Sequence, residues 1–161
     1  NQQYNVGERF GISKELGKAM VVEFNDSAAI AFLPPLRDAV YYMKRLNMLH
    51  GFKFHCISSL SSNKYAQRLR TQNLNLLFGE EIWDDYIYLP CGADKDDALL
   101  QYANSKCWWI EDKPVNAELG DSYGLRSILV AHDHNAYYPF NGNIPRYWKW
   151  KEIYKHIIGE I

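Results

Sequence analysis

Ser58, Lys95 and Asp112 each lie close after a short apolar run, and they bring a hydroxyl, an ammonium and a carboxylate. Asp112, preceded by Glu111 and followed four positions on by Asn116, comes after the run at residues 107–110. Asp112 and Asn116 offer a charged oxygen and an amide carbonyl, donors that a hard cation such as Mg2+ takes alongside retained waters. An Asp shortly before Pro114 also suits a helix start, and both roles stay open. Lys95 opens a helical stretch, where the helix dipole disfavours a cation. It either neutralises a bound anion or pairs with Asp94, Asp96 or Asp97. Ser58, with Ser59 beside it, follows the run at residues 52–57. Its hydroxyl and the amides of the next helix start suit a phosphate oxygen, although residues 58–62 also read as a polar turn that caps a helix.

Those residues meet only if the elements around them present them on one side. Alternation and branched or aromatic residues predict strands at residues 52–57, 86–89, 107–110 and 128–130. Leu36, Ala39, Val40, Met43 and Leu46 fall at helical spacing after Pro34–Pro35. Further helices are predicted at about residues 63–78 with Gly79 as the stop, about 95–102, between Pro114 and Gly124, and about 149–158. Helices and strands therefore alternate from Pro35 onward, which implies a parallel sheet with right-handed crossovers. The expected fold is α/β, a Rossmann-like three-layer sandwich forming a single domain over residues 1–161, with ligands at the carboxyl ends of the strands. Neither the dinucleotide glycine fingerprint nor a phosphate-loop motif is present.

A chain of 161 residues with 47% hydrophobic residues is long enough for a real core. Its 18 basic and 19 acidic residues leave a net charge of −1, which argues against wrapping nucleic acid. No apolar run approaches the ~20 residues of a membrane span, and no signal peptide is visible. Three cysteines without a CxxC spacing suit a reducing, cytoplasmic setting, with Cys56 and Cys107 read as small buried residues. His132, Asp133 and His134 read as a surface loop without a third metal ligand at helical spacing, and Cys91 has no assignable His or Asp partner. Lys64, Arg68 and Arg70 read as a solvated helix face, and Trp108 and Trp109 as core packing.

The order of Ser58 in FKFHCISS, Lys95 in ADKDDALLQY and Asp112 in WIEDKPVNA resembles the haloacid dehalogenase-like (HAD) superfamily of phosphohydrolases. The resemblance spans about residues 32–158. FLPPLRDAVYYMKRL is similar to the helix before that family's second motif, and IPRYWKWKEIYKHI to the close of its 5'-nucleotidase-type members. It implies Mg2+ held by Asp112 and Asn116, a phosphate oxygen held by Ser58 and Ser59, and a catalytic Lys95 that neutralises the phosphate and orients a nucleophile. Glu111 stands where the family often has Gly. The implied substrate is a small phosphate monoester such as a nucleoside monophosphate.

The family's first motif, an apolar strand followed by Asp-x-Asp, supplies the aspartyl nucleophile and the general acid/base. No such motif precedes Ser58. One expectation is that AMVVEFNDSA is a degenerate first strand, with Glu23 in place of the nucleophile, Asn25 of the acid/base and Ser27 of the hydroxyl. Glu23 would carry its carboxylate a methylene too far, and Asn25 cannot shuttle a proton. The other, slightly favoured, is that the first strand lies upstream of Asn1 and residues 1–32 form a small helical cap insert. The competing function is a catalytically silent HAD-like binding or interaction domain.

Overall fold

The computed structural model describes residues 6–160, and these divide into two compact units. One comprises residues 6–36 and 43–94; the other comprises residues 37–42 and 95–160. The chain is mixed α/β, and each unit carries its own parallel sheet. Among the described residues no helix is long and apolar enough to cross a membrane.

The first unit begins with helices α1 (Val6–Phe10) and α2 (Lys14–Asp26). Ser13 caps α2 by accepting the Leu16 N–H at 3.1 Å. Gly17 lets α1 and α2 approach closely, since a Cβ there would sit 2.7 Å from the Gly7 nitrogen. This corrects the first-strand expectation: the apolar residues from Ala19 to Phe24 are helical. A short apolar run does not by itself distinguish strand from helix. A cap at its start and a 13-residue span settle it here. Residues 28–32, which carry no clear periodicity, form a 3-10 helix.

Strands β1 (Phe54–Ser59) and β2 (Trp83–Leu89) pair in parallel, and α4 (Lys64–Phe78) is the crossover between them. Asn63 caps α4 through the Tyr65 N–H at 2.9 Å, and Gly79, at φ 92°, ends it. Ser58 belongs to β1 itself, aligned with Tyr88, where the sequence placed it just past the strand end.

In the second unit β3 (Trp108–Glu111), β4 (Arg126–Val130) and β5 (Arg146–Tyr147) form a parallel sheet in that order. Helix α6 (Pro114–Ser122) connects β3 to β4 and packs on both. Gly120 makes that packing possible: a Cβ there would sit 2.4 Å from the Trp109 ring and 2.8 Å from Ser127 Oγ. Ile128 and Leu129 of the central strand are fully buried. Cys107 is exposed, because β3 begins one residue after it.

Helix α3 (Ala39–His50) starts later than Pro34–Pro35 suggests, because Asp38 takes a left-handed φ of 58°. That conformation has a purpose. Both Asp38 carboxylate oxygens face the start of α7 (Trp150–Ile157), accepting from Trp150 N at 3.2 Å and Lys151 N at 3.3 Å. Glu152 reaches back to the N–H groups of Trp148 and Lys149, so the helix start is satisfied by two acids. Asp38→Ala is expected to lower stability by about 2 kcal/mol, from the lost cap and an alanine forced to positive φ. Asp38→Asn, which tolerates that φ and keeps one acceptor, should lose less than about 1 kcal/mol. Urea denaturation of the two variants gives the comparison.

Candidate functional site

Lys95, Asp112 and Asn116 lie in the second unit, Ser58 and Ser59 in the first. The polar centre of the second unit is built on the end of β3. Asp112 follows that strand directly, so its carboxylate stands at the carboxyl end of a parallel strand. Lys95 sits at the cap position of α5 (Asp96–Leu100). Its ammonium donates to Glu111 Oε2 at 2.6 Å and lies 5.1 Å from the centre of the Trp109 ring. The anion that Lys95 meets in this structure is thus Glu111, sixteen residues away, and not a neighbouring Asp.

The two side chains of that ion pair are 12% and 5% exposed, so it is largely out of water. Burial pushes the Glu111 carboxyl above the ordinary carboxylate range, with the Lys95 charge opposing the shift. The second carboxylate oxygen, Oε1, accepts the N–H groups of Asp112 at 3.2 Å and Lys113 at 3.1 Å. Glu111 therefore turns the backbone that carries Asp112, and it anchors Lys95 at the same time. Glu111 is thus a structural acid.

Asn135 completes the arrangement. It is 2% exposed, and its amide nitrogen donates to the Asp112 carbonyl at 2.6 Å and the Val130 carbonyl at 3.0 Å. Its carbonyl oxygen accepts the His132 N–H at 2.7 Å. Asn116 lies in the first turn of α6, and its backbone carbonyl accepts the Trp109 indole N–H at 3.0 Å. The loop after β4 is itself held by Arg146, whose guanidinium donates to the carbonyls of Ala136 and Tyr138 and stacks over Phe140. The imidazoles of His132 and His134 stack in parallel, 5.5 Å apart.

In the first unit, the Ser59 hydroxyl donates to the Ala93 carbonyl at 2.7 Å, tying the end of β1 to the loop after β2. Its proton is thus engaged within the chain. Asn25 lies on α2 and donates to the Leu60 carbonyl at 2.8 Å, with Cys91 Sγ at 3.6 Å. Ser61 donates to Asp26 and accepts the Asn63 N–H. Asn25 and Asp26 therefore clip the end of α2 to the turn after β1. Glu23 is exposed on α2, beside Leu16, Ala19, Met20 and Phe24. Arg70 departs from the solvated face expected of it: it is half-buried, donates to Asn73, and burial lowers its pKa.

Asp112, just past β3, and Asn116, in the first turn of α6, carry the oxygens that could take part in holding a hard cation. Glu111 is committed to Lys95 and two backbone amides. Among the described residues no three His, Cys, Asp or Glu side chains form a cage. Comparison with protein-family models, curated proteins and solved structures returned no match.

Proposed function

We propose that this chain is a HAD-like, Rossmann-like α/β domain that handles a small phosphate monoester with Mg2+. The observation that carries the reading is Asp112 at the carboxyl end of a parallel strand, with Lys95 bound to the residue beside it. In this reading Asp112 and Asn116 hold Mg2+, which offsets phosphate charge when bound. Within the first unit Ser58, with the amides that follow it, is the candidate for a phosphate oxygen, and within the second Lys95 is the candidate for a balancing positive charge. Hydrolysis further needs a carboxylate nucleophile. A nucleoside monophosphate is the substrate class we favour, and the cytoplasm the compartment.

A second reading, a binding domain without turnover, draws on a specific observation. Glu23 and Asn25, the stand-ins for the nucleophile and the acid/base, sit on a helix, and the Asn25 amide is engaged by Leu60 and Cys91. On this basis the present chain is expected to bind phosphate and Mg2+ together yet to turn over slowly or not at all. Phosphatase assays on nucleoside monophosphates with and without Mg2+, paired with calorimetric titration of phosphate in Mg2+, separate the two readings. Mg2+-dependent turnover lost in Asp112→Ala supports the enzyme. Binding without turnover supports the silent domain. Neither binding nor turnover removes both.

A further inference from the structure

The deepest polar side chain near Asp112 is one that the HAD-like motifs do not include. Asn135 spends all its hydrogen-bonding groups on backbone atoms: its amide nitrogen spans the Asp112 and Val130 carbonyls, and its oxygen takes the His132 N–H. Val130 ends β4 and Asp112 follows β3, so one buried side chain fastens the two strand ends that would flank a cation. Glu111 holds the N–H groups of Asp112 and Lys113 from within β3, while Asn135 holds the Asp112 carbonyl from the neighbouring loop. The Asp112 peptide is thus gripped at its donor and at its acceptor. Its carboxylate, by contrast, stays at the partly exposed strand end.

We infer that Asn135 is a positioning residue for a divalent cation at Asp112: it fixes the backbone from which that carboxylate projects without touching the ion. The inference rests on the cation reading of Asp112 given above. Outer contacts of this kind typically change metal affinity 10- to 100-fold. Asn135→Asp keeps the shape and the acceptor for His132 but turns an oxygen toward two carbonyls. Asn135→Ala removes all three bonds.

Mn2+ binding to the full chain, followed by electron paramagnetic resonance below the unfolding transition, is the test. Wild type is expected to bind, Asp112→Asn to lose binding, and Asn135→Asp or Asn135→Ala to bind about tenfold more weakly. Asp38→Ala, destabilised at the starts of α3 and α7, should keep the wild-type affinity. If the folded Asn135 variants match wild type while Asp112→Asn does not bind, Asn135 is structural only and the inference falls alone. If wild type does not bind Mn2+, or Asp112→Asn binds equally, the cation reading falls and the inference with it. Should both Asn135 variants fail to fold, Mg2+ titration of 15N-labelled wild type decides. The Asn135 side-chain amide signals should shift with the Asp112 backbone signal, and an Asn135 amide that stays still while Asp112 moves overturns the inference.

Discussion

Glu111→Ala is expected to cost about 4 kcal/mol, within the range of roughly 3–5 kcal/mol for breaking a buried ion pair from one side. The loss comes from what stays behind. Lys95 would keep its charge at a side-chain exposure of 12%, above the Trp109 ring and without a counter-charge. The N–H groups of Asp112 and Lys113 would also lose their acceptor. Glu111→Gln retains an oxygen for those amides and should cost less. Combining Glu111→Gln with Lys95→Met removes both charges, and the double variant should be more stable than Glu111→Ala. Urea denaturation of wild type, Glu111→Gln, Lys95→Met and the double variant closes the cycle. Additive losses would mean that the pair does not act as a unit.

The pH response of the same pair has a defined sign. Burial raises the Glu111 carboxyl in the folded state, so between its unfolded and folded pKa values the folded chain holds more protons. Its contribution to stability is full below the unfolded value and is lost as pH rises through the folded one. Glu111→Gln should remove that component, flattening the stability profile just above the ordinary carboxylate range.

The fold was legible where its causes were local. Asn63 and Gly79 bracket α4 through a cap and a positive φ, and both signals are visible in the letters. β1, β3 and β4 came within a few residues because aromatic and branched side chains concentrate there. Two residues were too few to announce β5, which exists because Pro145 and Tyr147 offer carbonyls to Leu129 and Ala131 of the β4 segment. The run from Ala19 to Phe24 carries the same pattern as strand or helix, and the Ser13 cap decided it.

The surroundings of Asp112 were half legible for the same reason. Its place just past a strand could be read because it ends an apolar run. What holds it could not, since the bonds from Lys95 to Glu111 and from Asn135 to Asp112 join residues 16 and 23 positions apart. Such contacts leave no period in a sequence. Glu111 was visible as an acid after an apolar run, but its part in the structure came only with the position of Lys95. An acid at that point takes up the lysine's charge, so a phosphate bound by Lys95 would have to compete with Glu111 for it.

Asn73 should prove a sensitive position in the first unit. It lies on the buried face of α4 at 5% exposure, and its amide nitrogen donates to the carbonyls of Ala31 at 2.9 Å and Leu33 at 3.2 Å. Its oxygen accepts from Arg70, whose guanidinium is half-buried. The 3-10 turn at residues 28–32 is therefore fastened to α4 by one side chain about forty positions away. Asn73→Ala should cost about 3 kcal/mol: roughly 1 kcal/mol net for each bond, with the stranded Arg70 donor included. Asn73→Asp keeps the acceptor for Arg70 and gains a charge there, yet it sets an oxygen against two carbonyls. Its loss should therefore be smaller, about 2 kcal/mol, with the remaining damage local to the turn. Amide hydrogen exchange distinguishes the mechanisms. Faster exchange confined to residues 27–36 in Asn73→Asp, and spread through α4 in Asn73→Ala, is the expected pattern. Equal exchange at residues 27–36 in wild type and both variants would show that the turn is held by its apolar contacts, chiefly the fully buried Ile30, and not by Asn73.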